Sequence, residues 1–229
     1  MDHEIKALST AAIAAALDGH LPTPGRRVGL LGGSFNPAHE GHLDLSLEAL
    51  RRLRLDEVWW LVSPQNPLKP VAGMAPLAAR LAGARAWAAH PRIRGCALET
   101  ALGTRYTAET LRALTARFPG VRFVWLMGAD NLVQVSQWHD WTSIFHIVPV
   151  AVFDRPSYSL QAVAATAARR FARYRLPEAR ARGLPERRPP AWVFLHQRLN
   201  PQSSTRIRTA HGAPHPERPA QTGNGEQRP

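Results

Sequence analysis

Short apolar runs alternate with amphipathic segments along most of this chain, and this alternation limits the folds that are open to it. Six runs have the length and composition of strands: Val28–Leu31, Glu57–Val62, Arg92–Leu98, Val121–Met127, Ile147–Phe153 and Trp192–His196. The intervening segments have helical periodicity or helix chemistry: one that starts near His39, then Pro76–His90, Thr107–Phe118, Asp130–Val135 and Leu160–Tyr174. Strands that are apolar throughout are buried on both faces. The pattern therefore predicts an α/β fold with a doubly wound, mostly parallel sheet.

Changes in composition at both ends of this region divide the chain into three parts. Residues 1–25 are predicted to be an N-terminal extension with a short Ala-rich helix. Residues 26–208 form the predicted domain, which includes a Pro- and Arg-rich loop at 177–190 and a helix start at Ser203–Arg208. Residues 209–229 are rich in Pro and Gly and lack apolar periodicity, so we expect a disordered tail.

The net charge of +12 is concentrated in the C-terminal part of the chain. Residues 1–159 contain 16 Lys and Arg against 13 Asp and Glu, whereas residues 160–229 contain 13 against 4. Because clustered arginines neutralise phosphates, nucleic-acid binding through this part stays open as a minor alternative. No apolar run approaches the ~20 residues of a membrane-spanning helix, and the lone Cys96 cannot form an internal disulfide. We therefore expect a cytoplasmic protein without a membrane partner.

The turn after the first predicted strand carries the strongest indication of chemistry. It reads Gly32-Gly33-Ser34-Phe35-Asn36-Pro37-Ala38-His39-Glu40-Gly41-His42. Two glycines allow backbone N–H groups to approach an anion, and the helix that follows directs its positive end towards the same place. His39 and His42 are three residues apart at that helix start, so both rings can lie beside one anion. The turn therefore predicts a phosphate site.

Other phosphate and metal motifs do not fit this turn. A dinucleotide-binding turn would have Gly-x-Gly-x-x-Gly and a P-loop would have Gly-Lys-Ser/Thr, and neither is present. A zinc hydrolase would have His-Glu-x-x-His, whereas these two histidines are one residue closer and no third ligand is evident. We therefore predict no metal held by the protein's own side chains. A Gly-rich turn with two solvent-exposed histidines is the plain alternative for this motif taken alone.

The same turn resembles the signature of the nucleotidyltransferase superfamily with the His-x-Gly-His motif. Four further segments, in the same order along the chain, resemble the bacterial nicotinate-nucleotide adenylyltransferases: Pro64–Lys69, Tyr106–Leu111, Gly128–Leu132 with Trp138, and Ser203–Arg208. The resemblance covers about residues 28–208. It implies a Rossmann-like nucleotidyltransferase fold for this region.

The resemblance implies transfer of the adenylyl group of ATP to nicotinate mononucleotide, forming deamido-NAD and pyrophosphate in NAD biosynthesis. ATP and nicotinate mononucleotide are the implied partners, and Mg²⁺ bound mainly through the ATP phosphates is the implied cofactor. The attacking phosphate is already ionised at pH 7, so catalysis would rest on positioning and charge neutralisation. The nearest alternative is another adenylyltransferase or cytidylyltransferase of the superfamily, acting on nicotinamide mononucleotide or pantetheine phosphate. The sequence leaves open whether the protein forms a homo-oligomer.

By the same resemblance, the ATP contacts come from two helix starts. His39 and His42 are the implied catalytic residues, with His42 the better candidate for contact with the transferring phosphate. The implied ATP-binding residues are Gly32, Gly33, Ser34, Phe35, His39, His42, Ser204, Thr205 and Arg206. A plain N-cap is the alternative for the cluster Ser203–Thr205.

The resemblance also implies a second group of residues, around the mononucleotide. They are Asn36, Lys69, Tyr106, Thr107, Asp130, Trp138 and Arg155. Trp138 would lie against the pyridine ring, because an aromatic face suits a flat heterocycle. Helix-start N–H groups near Tyr106 and Thr107 would receive the nicotinate carboxylate.

Several of these positions have plainer alternatives. Core packing is the alternative for Trp138, helix capping for Asp130, and surface solvation for Lys69 and Arg155. The chain also departs from the family pattern at His139, where many members have Tyr. A carboxylate contact at that position would therefore be made by the backbone.

Overall fold

The computed structural model describes residues 10–64, 73–155 and 158–196, and within these ranges seven strands form one parallel sheet. The strands are β1 (Arg27–Gly33), β2 (Glu57–Val62), β3 (Ile93–Cys96), β4 (Arg122–Gly128), β5 (Val150–Phe153), β6 (Arg175–Leu176) and β7 (Trp192–Leu195). The helices are α1 (Thr10–Ala16), α2 (Glu40–Arg52), α3 (Leu77–Trp87), α4 (Leu98–Leu102), α5 (Thr107–Arg117), α6 (Ala129–Gln134), α7 (Trp141–Ile147), α8 (Ser159–Ala164) and α9 (Thr166–Arg170). Three 3₁₀ segments are Val135–Gln137, Ala172–Tyr174 and Glu178–Glu186.

The strand order is β3-β2-β1-β4-β5-β7-β6, so the direction of winding reverses between β1 and β4. This confirms the predicted α/β fold with a doubly wound parallel sheet. Leu31 of β1 pairs with Leu126 of β4, and Gly128 of β4 pairs with Phe153 of β5. The carboxyl ends of these three strands therefore lie side by side. In doubly wound sheets, ligands bind in the crevice outside this edge, at the point where the winding reverses.

Each face of the sheet packs against its own apolar core, which explains why the strands are apolar throughout. Successive residues of β2 alternate between the two cores: Trp59 and Leu61 belong to one, and Val58 and Trp60 to the other. Both tryptophans are fully buried.

The N-terminal stretch contributes to one of these cores through α1. Ile13 is 1% exposed and Leu17 is fully buried, and both belong to the core that contains Trp59. Residues 10–25 therefore pack onto the domain, although the sequence pattern describes residues 1–25 as an extension. Among the helices that the structure describes, none is long and apolar enough to cross a membrane.

The observed elements differ from the predicted ones at the ends of two apolar runs. The run Arg92–Leu98 was expected to be strand throughout, but the strand ends at Cys96 and Leu98 begins α4. The run Ile147–Phe153 likewise includes Ile147, which is the last residue of the unpredicted helix α7. A buried apolar side chain suits a helix as well as a strand, so such a run does not mark where one ends and the other begins.

The region predicted as one helix, Leu160–Tyr174, is divided in the structure. Ala165 has an extended backbone (φ −63°, ψ 152°) between α8 and α9, and a 3₁₀ segment follows α9. The break allows Ala162 before it and Ala167 after it to reach the same core. The predicted loop 177–190 contains the 3₁₀ segment, whose Leu184 is fully buried.

Candidate active site

The turn after β1 is shaped by packing as well as by backbone freedom. A Cβ atom on Gly32 would lie 2.4 Å from Cη2 of the buried Trp125 ring, so only glycine fits there. Phe35 has a left-handed backbone (φ 47°) and is 1% exposed. Its ring stacks on Trp60 at a centroid distance of 5.1 Å. The Phe35 side chain therefore anchors the turn to the core and does not face a ligand.

His39 and His42 cap the start of α2 with their ring nitrogens. Nδ1 of His39 accepts a hydrogen bond from the Gly41 N–H (3.1 Å), and Nδ1 of His42 accepts one from the His39 N–H (3.3 Å). The two ring centroids are 3.9 Å apart. An imidazole nitrogen that accepts a hydrogen bond carries no proton, so the proton of each neutral ring is on Nε2. The pair therefore offers two Nε2–H donors at one helix start.

The charge state of His39 is set by its surroundings. Burial, and secondarily the positive charge of Arg155, lower the pKa of His39 to about 4. The ring is therefore neutral at pH 7 and acts as a hydrogen-bond donor rather than as a cation.

Asp130 and Arg155 extend the site along the ends of β4 and β5. Oδ1 of Asp130 lies 3.5 Å from Nε of Arg155, and Oδ1 is buried without a hydrogen bond in the described part of the chain. Gly128 lies beneath this pair, since a Cβ there would be 2.3 Å from Oδ1 and 2.8 Å from Nε. Oδ1 therefore faces the Arg155 guanidinium, whereas the Asp130 side chain as a whole is 34% exposed and can be reached by a ligand hydroxyl.

A second cluster lies where α5 begins, beside the segment that follows α6. The Tyr106 ring is 4.3 Å from the His139 ring, centroid to centroid, with an angle of 30° between their planes. Trp138 is half-buried and packs partly against the core. The Tyr106 N–H donates to Oε2 of Glu109 (3.3 Å), so Tyr106 does not offer this group to a ligand. Thr107, the first residue of α5, is half-exposed beside it.

Comparison with known proteins places this geometry in a family. Residues 30–210 match the model of the cytidylyltransferase-like family. Proteins named "Probable nicotinate-nucleotide adenylyltransferase" from Cereibacter sphaeroides and Methylorubrum extorquens are 58% and 55% identical to the chain. The first match covers 79% of this chain and 96% of the relative, and the second covers 80% and 99%. The chain belongs to the nicotinate-nucleotide adenylyltransferase family. This confirms the family that the five motifs predicted.

A solved structure supports the fold of this adenylyltransferase. The Plasmodium falciparum nicotinic acid mononucleotide adenylyltransferase complexed with NaAD aligns with a TM-score of 0.60 at 13% identity. The alignment covers 80% of this chain and 83% of that one. At this identity the likeness concerns the fold alone.

Most of the predicted site residues of the adenylyltransferase fall into two clusters, and the others lie elsewhere or outside the described residues. The first cluster is at the ends of β1, β4 and β5 and contains Gly32, Gly33, Ser34, Phe35, His39, His42, Asp130 and Arg155. The second cluster is formed by the ring contact between Tyr106 and His139, with Thr107 next to Tyr106 and Trp138 next to His139 in the chain. The Asn36 side chain bonds the loop before α3 instead. Lys69, Ser204, Thr205, Arg206, the helix start Ser203–Arg208 and the tail 209–229 lie outside the described residues.

Two buried ionisable residues near the first cluster were missed by the sequence analysis. Arg80 is 4% exposed, and its guanidinium donates to carbonyl oxygens at the ends of β1 and β2. Glu99 is 6% exposed and accepts a hydrogen bond from the Ser63 side chain. Burial raises the pKa of Glu99 to about 7. The sequence contained one indication of the burial of Arg80, because this charged residue lies within a helical segment rich in Ala and Leu.

The described residues of the adenylyltransferase contain no group of three or more His, Cys, Asp or Glu side chains arranged to hold a metal ion. Near the histidine pair, the donors are two imidazole N–H groups and the guanidinium of Arg155. Such groups bind anions and not cations. The described side chains therefore suit a phosphate. A divalent cation would be coordinated mainly by the phosphates of the bound nucleotide and not by these side chains.

Proposed function

We propose that the protein transfers the adenylyl group of ATP to nicotinate mononucleotide, forming deamido-NAD and pyrophosphate. A phosphate oxygen of the mononucleotide forms a bond to the α-phosphorus of ATP, and the bond from that phosphorus to the bridging oxygen breaks. The observation that carries the proposal is the histidine pair at the start of α2, in a chain of the nicotinate-nucleotide adenylyltransferase family. The reaction belongs to the biosynthesis of NAD.

The histidine pair suits phosphoryl chemistry because it donates hydrogen bonds without competing for protons. His39 is neutral at pH 7, and its Nε2–H can donate to a phosphate oxygen. His42 presents the same donor one helical turn later and is the better candidate for contact with the transferring phosphate. The attacking phosphate is already ionised, so no general base is required. Donors preorganised where negative charge develops lower the barrier by stabilising the transition state.

Arg155 and Asp130 have complementary roles in this proposal. Arg155 adds positive charge near His39, which favours the close approach of two phosphorylated substrates. The Asp130 carboxylate, whose side chain is 34% exposed, accepts a hydrogen bond from a ribose hydroxyl. Mg²⁺ bound mainly through the ATP phosphates would supply further neutralisation of phosphate charge.

The second cluster is proposed to bind the pyridine end of the mononucleotide. The half-buried Trp138 gives an aromatic face for the ring. The nicotinate carboxylate lies at the start of α5, where the first-turn N–H groups favour an anion. Since the Tyr106 N–H is bonded to Glu109, we assign the carboxylate contact to Thr107.

Further contacts are proposed from residues outside the two clusters. Lys69 meets the phosphate of the mononucleotide, and Ser204, Thr205 and Arg206 hold the β- and γ-phosphates of ATP, as the family resemblance implies. A cytoplasmic location fits this function, and the single cysteine, Cys96, is buried as a free thiol.

The test is pyrophosphate release from ATP with nicotinate mononucleotide, nicotinamide mononucleotide and pantetheine phosphate as acceptors. The neutral amide of nicotinamide mononucleotide brings its own donors to the N–H groups that would bind the acid. A buried donor left unpaired costs about 1–3 kcal/mol, and loss of the ionic partner adds to this. We expect kcat/KM to favour the acid by about 10²-fold or more.

The variant Trp138→Ala provides the matched control for this preference. Stacking acts on the ring and not on its substituent, so the substitution should weaken both mononucleotides alike and leave their ratio unchanged. Equal or better turnover of the amide by the unmodified protein would assign it to a different activity within the superfamily.

A further inference from the structure

Arg80 is a buried charged residue with an unusual set of partners. It lies on α3, and it is 4% exposed. In the described part of the chain its guanidinium bonds four backbone carbonyl oxygens: those of Ser34 (2.7 Å), Ser63 (2.7 Å), Pro64 (2.8 Å) and Ala75 (2.8 Å). A buried charge is tolerated only where hydrogen bonds replace its hydration. These four bonds therefore hold the guanidinium in one orientation.

The four carbonyl groups belong to three separate segments at the same edge of the sheet. Ser34 directly follows β1, Ser63 and Pro64 directly follow β2, and Ala75 lies just before α3. The ladder between β1 and β2 ends with the bond from the Ser63 N–H to the Gly33 carbonyl (2.9 Å). Beyond that bond, Nη1 of Arg80 joins the two chains by donating to both Ser34 and Ser63. Arg80 thus continues the connection between these strands past the end of the sheet.

Asn36 strengthens this connection from the turn itself. Its Nδ2 donates to the Gly73 carbonyl (3.1 Å), and its Oδ1 accepts from the Ala75 N–H (3.3 Å). Pro64 and Gly73 are the described residues on either side of segment 65–72. Gly73, after that segment, is therefore bonded to Asn36 of the histidine-bearing turn, and Pro64, before it, is bonded to Arg80. Lys69 belongs to the segment between them.

We propose that Arg80 is a positioning residue for adenylyl transfer, which holds the histidine-bearing turn in a fixed position against the end of β2 and the loop before α3. This inference rests on the proposed function, because the histidine-bearing turn serves ATP. Arg80 acts through the backbone of Ser34, Ser63 and Pro64 and not by contact with a substrate. Lysine cannot replace it, because three donors on one nitrogen do not reproduce the planar fork of a guanidinium.

The test compares Arg80→Lys with Arg85→Met. Arg85 lies on the same helix, where it donates to the Gly95 carbonyl (3.1 Å) and pairs with Asp18 (2.9 Å), outside the two proposed clusters. The values of kcat and of KM for both substrates are measured at a temperature where circular dichroism shows each variant fully folded. We expect kcat of Arg80→Lys to fall by about 10²-fold, because a displacement of ~1 Å between reacting groups costs this much. Arg85→Met should keep the kcat and KM of the unmodified protein.

The outcomes separate a positioning role from a structural one. If Arg80→Lys has a lower Tm but unchanged kcat and KM, Arg80 is structural and the proposal is wrong. Arg80→Gln, measured in sucrose to favour the folded state, is the second variant, and failure of both variants to fold would also assign a purely structural role. If the unmodified protein does not use nicotinate mononucleotide, the proposed function fails. If it does and Arg80→Lys matches it, only this inference fails.

Discussion

The substitution Gly128→Ala is expected to damage the site while leaving the fold nearly intact. Gly128 has φ −76° and ψ 160°, a conformation that alanine adopts without strain. The added Cβ would lie 2.3 Å from Oδ1 of Asp130 and 2.8 Å from Nε of Arg155. Both atoms are at or near the ends of flexible side chains, so the clash is relieved by moving Asp130 and Arg155 rather than the backbone.

The size of the effect follows from the distances. An unbonded carbon and oxygen need about 3.3 Å, so Oδ1 of Asp130 must move by ~1 Å. A misplacement of this size costs about 10²-fold when the displaced group orients a reactant. We therefore expect kcat/KM to fall by about 10²-fold, with a loss of stability below ~1 kcal/mol because only side-chain ends must shift.

Gly29→Ala is the matched control, because it adds the same methyl group to the core instead of the site. Its Cβ would lie 2.7 Å from Cδ1 of Leu55 and 2.8 Å from Cδ1 of Leu126, both of which are buried. Overpacking of this kind costs about 1–3 kcal/mol. Urea unfolding and steady-state kinetics on both variants should therefore show opposite patterns: stability lost with Gly29→Ala, and activity lost with Gly128→Ala.

A Gly128→Ala variant that retained the kcat/KM of the unmodified protein would contradict this prediction. A fall in the activity of both variants in proportion to their loss of stability would also contradict it. The first result would remove Asp130 and Arg155 from the site. The second would mean that the crowding at Gly128 acts through the fold.

Two further predictions concern His42 and Glu99. His42→Ala should lower kcat by about 10²–10³-fold, since it removes one donor to the transferring phosphate, and it should cost about 0.5–2 kcal/mol of stability, because the ring also accepts the His39 N–H at the helix start. A folded variant with near-normal kcat would contradict the role of His42. The pKa of Glu99, raised by burial from its ordinary 4.5 to about 7, means that the folded state binds a proton that the unfolded chain has lost. The free energy of unfolding should therefore fall by on the order of 2–3 kcal/mol as the pH rises from about 4.5 through 7. Urea titrations at pH 5 and pH 8 should show a smaller fall for Glu99→Gln, and an equal fall would contradict this assignment.

The sequence pattern was sufficient to predict the layers of the fold and the pairing of the two histidines. The strands could be predicted because a sheet covered on both faces requires apolar residues at every position, as in Glu57–Val62. The geometry of the turn Gly32–His42 could be predicted because a backbone turn followed by a helix start is local in sequence, and its binding of phosphate stays a prediction. Its two histidines are three residues apart, so no tertiary information was needed to place them together.

Which distant groups meet at that turn depends on the tertiary structure. Asp130 and Arg155 approach His39 only because the strand order places β4 beside β1 and β5 beside β4. Arg80 appears in the sequence as one more arginine on a helix, where solvation is the usual outcome. It is buried because the ends of two parallel strands leave carbonyl groups without ladder partners, and these come together only when the sheet forms. Local sequence sets how each segment folds, but the partners of a buried charge depend on contacts between segments that are far apart in the chain.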